Sequence, residues 1–354
     1  MRRIQTEQIH GNEILAKDIY SGNGVIIVSA GTQLKLEYRL RLQEMHITDI
    51  FIEDDISDDI TVEEFTDQQI CEECSDALKN TIERFSYDSK NEKNKLFEVV
   101  DNVMSSVLEK KEVLYNVSVV RRRDQNLSDH CLNVCALSIL TAIHAGFSQE
   151  SLRDIAVGAL LHDIGFLDVK SEYQDLLLDE ADEETKKEIK RHVVYGYMNV
   201  EKQEWLSSVS NDIILYHHER IDGSGYPFKL NGDRIKPEVR VVSICDAFDN
   251  MIYGTLEKRM KVYEAMELIT CLAGTKFDIE YATTFVSSVA AYPVGSIVLT
   301  NTGMTCIVIR QNNSAPTRPV LRELRKNEAG EWQSVGEHDL LEELTVFITD
   351  TLND

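Results

Sequence analysis

The sequence predicts a mainly α protein: a helical bundle core between a small N-terminal α/β unit and a small C-terminal β-meander. Three observations predict it. Apolar residues recur at helical spacing through the middle of the chain, from Leu127 to Leu272. The period changes to two after about Tyr292. The first sixty residues mix short apolar runs with a single helical pattern. At 354 residues the chain is long for one domain, and a hydrophobic fraction of 43% suffices for ordinary cores. The predicted divisions are 1–60, 61–114, 115–290 and 291–354.

In chain order, Gly22-Asn23-Gly24 signals a turn before the strand candidate Val25 to Val28. Leu34, Leu36, Leu40, Leu42 and Met45 predict a helix, and Ile50-Phe51-Ile52 a further strand. Glu53 to Glu73 is strongly acidic and reads as a solvated connector, followed by helical patterns to about Leu114. Cys71 and Cys74 form a C-x-x-C there, with no second pair to complete a zinc site. Leu127, Val134, Leu137, Leu140 and Ile143 stripe one helix, with Ser128 or Asp129 as its cap. Leu152, Ile155, Ala156, Ala159 and Leu160 stripe the next, which Gly165 ends. Helices are predicted over Glu183–Val194, Ser207–His218, Pro237–Ile252 and Val262–Leu272, with Pro237 suited to a first turn. Ser296–Leu299, Met304–Arg310, Pro319–Leu324 and Thr345–Ile348 are the predicted strands of the meander.

Composition narrows the function. No apolar run approaches the ~20 residues of a membrane span, and the start lacks a signal peptide, so a cytoplasmic protein is expected. Seven cysteines form no disulfide framework. A net charge of −24 repels nucleic-acid polymers and anionic membranes. A small nucleotide stays compatible with it, because metal ions supply local positive charge.

The chemistry concentrates in a few short stretches. His217-His218-Glu219-Arg220 runs into Asp222-Gly223-Ser224-Gly225-Tyr226-Pro227. Upstream lie His130, the pair His162-Asp163, and His192 with Gly196 four residues on; downstream lies Asp246. Imidazole is the commonest metal ligand, and five histidines with two carboxylates can supply two metal ions. Neighbours on a helix point about 100° apart, so an adjacent pair can flank one site only at a helix end. Both pairs sit where a predicted helix runs into glycine. His10, His46, His144 and His338 lie outside these stretches and read as ordinary hydrogen-bonded histidines.

This order of residues resembles the HD-GYP family of metal-dependent phosphohydrolases. Its motifs read here as His130; His162-Asp163-Ile164-Gly165-Phe166; His192 to Gly196; His217 to Pro227; and Asp246 to Asn250. The match covers roughly residues 115–290. The resemblance implies an HD-type bundle and hydrolysis of cyclic di-GMP or a related cyclic dinucleotide. It implies two divalent transition metals, iron or manganese, with a bridging water as nucleophile. It implies that His130, His162 and Asp246 hold one metal and that His192, His217 and His218 hold the other. Asp163 is the natural bridging carboxylate, and His162 and Asp163 form the centre of the catalytic machinery. Gly223, Gly225, Tyr226 and Pro227 shape a wall beside the substrate or a surface for a diguanylate cyclase or other signalling protein. Glu219 and Arg220 form a local ion pair or support the ligands. A homodimer is a further expectation.

The chain departs from the family at several positions. Phe166 replaces a lysine that contacts a substrate phosphate in the family. Thr255 and Lys258 stand where an arginine and a second basic residue usually follow, which leaves Lys258 as the substrate contact. Asn126 replaces the glutamate of three-metal members. The family's proline-rich stretch is absent from Leu167–Lys190. The metal set is complete while the phosphate grip is reduced. The alternative is therefore a weakly catalytic protein that senses nucleotide or binds a partner.

Overall fold

A computed structural model describes the chain except residues 21–25, 46, 48, 62–69, 71–72, 74–88, 118–126, 171–177, 179–180, 254–257, 329–331 and 353–354. The Gly22–Gly24 turn, the C-x-x-C, His46, Asn126 and Thr255 lie outside the described residues.

The N-terminal unit has three antiparallel strands in the order β1 (Arg2–Gln5), β5 (Asp49–Glu53), β2 (Ile14–Leu15). A separate ribbon pairs β3 (Ile19–Tyr20) with β4 (Ile26–Val28). Helix α1 (Leu36–Glu44) packs through Leu42 and leaves Leu36 59% and Leu40 67% exposed. Both belong to the apolar set that predicts the helix. The sheet is too small to cover more than one narrow edge of the helix.

The centre is the predicted bundle. It comprises α2 (Ser89–Glu109), α3 (Leu127–His144), α4 (Gln149–Leu161), α5 (Glu183–Lys190), α6 (His192–Val200), α7 (Ser208–Tyr216), α8 (Pro237–Tyr253), α9 (Val262–Leu272) and α10 (Ile279–Ser288). Their apolar stripes merge into one core that includes Val103, Leu137, Leu160, Ile213, Phe248 and Phe285. Ser128 and Asp129, expected as the cap of α3, lie inside its first turn instead. Ser148 and Ser207 each accept the amide three residues on, opening α4 and α7, and Asp182 does the same for α5. The predicted Glu183–Val194 helix is broken: it turns at Arg191, and His192 opens α6.

The C-terminal sheet runs β10 (Ile348–Thr351), β6 (Ile297–Thr300), β7 (Thr305–Arg310), β8 (Val320–Lys326), β9 (Trp332–Asp339), all antiparallel. Strand β9 has no counterpart in the sequence reading. It is a polar edge strand, exposed over most of its length, and gives no period-two signal. Phe51, Ile56 and Ile60 pack into the same core as Val298, Ile307 and Leu321, so the two flanking units share apolar residues. Among the described residues no helix is long and apolar enough to cross a membrane.

Candidate metal centre

Seven side chains converge in the bundle from five separate places. His130 stands in the first turn of α3, and Asp246 lies in the middle of α8. His162 ends α4 and Asp163 follows it into a short 3-10 turn over Ile164–Asp168. His192 opens α6, and His217 ends α7 with His218 beside it. All seven are buried. Both adjacent pairs therefore sit at helix ends, as the 100° rule requires.

Close backbone approach makes this convergence possible. A Cβ on Gly165 would lie 2.0 Å from the His192 carbonyl oxygen and 2.3 Å from the Gly196 amide nitrogen. Gly196 in turn lies against Gly165 and Ile214. The two glycines let the 3-10 turn bearing Asp163 press onto α6, the helix bearing His192.

Hydrogen bonds fix the imidazoles. Nδ1 of His162 lies 2.7 Å from the Ala159 carbonyl, and Nδ1 of His192 lies 2.7 Å from that of Ile189. Nδ1 of His217 lies 3.1 Å from the carbonyls of Ile213 and Ile214. A carbonyl can only accept, so each Nδ1 carries a proton and each Nε2 faces inward, where a lone pair is exposed once the ring is neutral. His130 obeys the same logic, donating Nδ1–H to Asp249 Oδ2 at 2.7 Å. Asp249 also accepts from Asn133, and Asn250 donates to Asp246 Oδ1 at 2.7 Å. The sequence reading missed Asp249 and Asn250 as supports. Their spacing of three and four from Asp246 on one helix was the available signal.

The inward atoms fall into two groups. Asp163 Oδ2 lies 3.3 Å from His130 Nε2 and 3.4 Å from His162 Nε2. Asp163 Oδ1 lies 3.2 Å from His192 Nε2 and 3.4 Å from His217 Nε2. Asp246 Oδ1 faces His130 at 3.3 Å and His162 at 3.6 Å, and its Oδ2 faces His218 Nδ1 at 3.4 Å. Asp163 with His192, His217 and His218 forms one cluster able to hold a cation, and Asp163 with His130 and His162 a second.

A cation fits this arrangement. The Nε2 atoms of His130 and His162 are 3.1 Å apart, and those of His192 and His217 3.4 Å apart. With both rings neutral, two nitrogens this close repel each other unless a positive charge lies between them. Asp163 Oδ1, Asp246 Oδ2 and His218 Nε2 are buried without a hydrogen bond among the described residues.

Electrostatics agree. Burial pushes Asp163 and Asp246 up, but the surrounding imidazoles outweigh it and hold both well below the usual carboxylate range. Burial opposes protonation of His130 and His162, yet the nearby carboxylates hold both well above the ordinary imidazole value. His217 and His218 are held low, chiefly by burial, and so are neutral. Two anions and neutral imidazoles are what a metal needs, and a bound cation displaces the protons of the first pair.

The loop beside the site is built on the same backbone. Glu219 accepts the amides of Phe228 at 2.7 Å and Leu230 at 2.9 Å, so it clamps the loop. Arg220 donates to the carbonyls of His217 and Glu219 and to Ser243. A Cβ on Gly225 would lie 2.5 Å from the His218 carbonyl oxygen, and Gly223 has φ +78°. The Tyr226–Pro227 peptide is cis. Tyr226 stacks on His218 with centroids 4.7 Å apart. Phe166 is half-buried and stacks on His192, with centroids 4.2 Å apart and planes at 16°. Lys258 is exposed, and among the described contacts none joins it to the cluster. His144 bonds Ser288 and the Lys111 carbonyl, His338 bonds Glu343, and His10 is exposed, all apart from the cluster.

Residues 107–281 match the family model of an HD domain, and residues 297–354 match a KOW domain associated with HD domains. The chain is similar to the cyclic di-GMP phosphodiesterase PA4108 of Pseudomonas aeruginosa, with 30% identity over 227 residues, 63% of this chain and 53% of that protein. It is similar to the cyclic di-GMP phosphodiesterase response regulator RpfG of Xanthomonas campestris, with 35% identity over 137 residues, 38% of this chain and 35% of that protein. It thus spans about half or less of the length of these curated relatives. Among solved structures, Bd1817, an HDG"Y"P protein from Bdellovibrio bacteriovorus, matches with a TM-score of 0.51 at 20% identity, over 80% of this chain and 97% of that one. That likeness concerns the fold.

Proposed function

Since residues 107–281 match an HD domain, we propose that the protein is a metal-dependent phosphodiesterase of a cyclic dinucleotide, cyclic di-GMP or a close relative. One observation carries the reading. The two oxygens of Asp163 divide between two groups of inward-facing imidazole nitrogens. Such a division suits two metal ions that share one carboxylate.

In this reading His130, His162 and Asp246 hold one divalent ion and His192, His217 and His218 the other, with Asp163 between them. Iron or manganese suits a set of imidazoles and carboxylates. When bound, such a pair supplies a nucleophile from water near neutral pH and neutralises charge on the phosphate oxygens. The chain's own part is preorganisation. The carbonyls of Ala159, Ile189, Ile213 and Ile214 hold three imidazoles in one tautomer, and Asp249 holds a fourth. Asn250 fixes the Asp246 carboxylate. Glu219 holds the Gly223–Pro227 loop against His218, so that Tyr226 walls the site.

One observation favours a second reading. Phe166 occupies the face of His192 with an uncharged ring, where the resembling family places a phosphate-binding lysine. That suits a protein of low turnover that senses nucleotide or binds a signalling partner through the Gly223–Pro227 loop. Anaerobic reconstitution with iron or manganese, followed by assay of cyclic di-GMP hydrolysis, separates the two. Turnover supports the phosphodiesterase. Full metal content with nucleotide binding and no turnover supports the sensor.

A further inference from the structure

Phe166 leaves the proposed substrate without one expected cation, and the structure offers another at the site's edge. Lys190 is the last residue of α5. Its neighbour Ile189 gives the carbonyl that fixes His192, so the Lys190 backbone is part of the frame of the cluster. The side chain crosses to the loop opposite, with Nζ 5.3 Å from the centroid of the Tyr226 ring. That ring stacks on His218 and meets His192 edge-on at 6.4 Å. The ammonium therefore stands one aromatic ring away from two imidazoles of the second ligand group.

Other cations nearby are engaged elsewhere. Arg220 is held by Ser243 and two carbonyls, and Arg191 pairs with Glu188. Lys190 is exposed and pairs with no carboxylate among the described residues, so its charge is available at the edge of the site. A cation over an aromatic face gives up little when it turns to a phosphate, since an exposed contact of this kind is weak. A lysine ammonium binds phosphate as a point charge on a flexible stem, so it can find an oxygen without exact placement.

We propose that Lys190 is a specificity residue that contacts the non-scissile phosphate of a cyclic dinucleotide while the scissile phosphate lies at the metal cluster. The inference rests on the phosphodiesterase reading and adds which chain group distinguishes a two-phosphate ring from a simple diester. Its contact is one ring out from the cluster, so a substrate with a single phosphate does not use it.

The test compares parent, Lys190→Ala and Lys190→Arg in the metal-loaded full chain. Two substrates are used: cyclic di-GMP and bis(4-nitrophenyl) phosphate, which has one phosphate. Equilibrium binding of cyclic di-GMP is measured alongside. Lys190→Ala is expected to weaken binding and raise KM for cyclic di-GMP about tenfold, the scale of one charge-assisted contact. It should leave kcat/KM for the simple diester and the melting temperature unchanged. Lys190→Arg should restore most of the affinity, and the difference should shrink with added salt. Parent-like cyclic di-GMP binding and KM in Lys190→Ala overturn the assignment, as does an equal loss on both substrates. A parent that binds cyclic di-GMP without cleaving it sinks the phosphodiesterase reading alone, and binding still decides Lys190. A parent that neither binds nor cleaves it overturns both.

Discussion

Gly165→Ala perturbs the contact that brings the two ligand groups together, and its size can be worked from distances. The added Cβ would meet the His192 carbonyl oxygen at 2.0 Å and the Gly196 amide nitrogen at 2.3 Å. Ordinary contact begins near 3.4 Å, so the turn and α6 must separate by more than 1 Å. Both obstacles are backbone atoms, and no side-chain rotation relieves them. Overpacking typically costs 1–3 kcal/mol, and this case belongs at or above the upper end, about 3 kcal/mol. At about 2–4 °C per kcal/mol for a domain of this size, the melting temperature should fall roughly 6–12 °C. The same displacement carries His192 away from Asp163, whose contact is 3.2 Å. The second ligand group should then lose its metal while the His130 group keeps its own, so content falls from about two to about one per chain. Gly196→Ala is the internal comparison. Its nearest obstacle is the side-chain methyl of Ile214 at 3.1 Å, which can give, and its cost should be about 1 kcal/mol. Calorimetry and elemental analysis of the two variants decide the matter. A Gly165→Ala protein with parent-like melting and metal content would refute the close-approach argument.

Three further outcomes follow. Asp163→Ala should lose both metals, whereas His192→Ala should keep the one on the His130 side; two retained metals in Asp163→Ala, read by elemental analysis, would dismiss the shared carboxylate. Asp249→Ala should weaken metal at the His130 group about 10–100-fold, and Asp249→Asn less, because an amide oxygen still accepts from His130 Nδ1; equal affinities in competitive chelator titration would contradict this. Phe166→Lys loses a ring stack worth roughly 0.5–1.5 kcal/mol of stability and gains a charge-assisted phosphate contact of about 1.5–3 kcal/mol, so melting temperature should fall slightly while nucleotide affinity rises about tenfold or more. A drop in both affinity and melting temperature would show that the stack on His192 matters more.

The seven candidate ligands were legible because each belongs to a short motif, and a buried histidine or aspartate on an apolar helix needs a partner. The bundle was legible because its helices repeat apolar residues at a period that little else produces. Other features leave weaker marks. The break at Arg191 lies in Lys190-Arg191-His192, which has neither glycine nor proline to mark it. Strand β9 is held by its pairing with β8, whose partner residues lie far from it in pattern though near in sequence. Leu36 and Leu40 fit a helical stripe, but how much of a stripe is buried depends on the size of the surface opposite. The role of Glu219 as a clamp on the amides of Phe228 and Leu230 depends on a loop shape that only three dimensions reveal.

The core shared by the flanking units sets an order on biosynthesis. Phe51, Ile56 and Ile60 find their apolar neighbours on strands that begin at Ile297, roughly 240 residues later. At ribosomal rates of about 5–20 residues per second, those side chains wait on the order of 10–50 s for their partners. During that interval the helical bundle, whose contacts are closer in sequence, can assemble first. The C-terminal sheet then closes over Phe51, Ile56 and Ile60, and until it does those residues carry an uncovered apolar face open to chaperones.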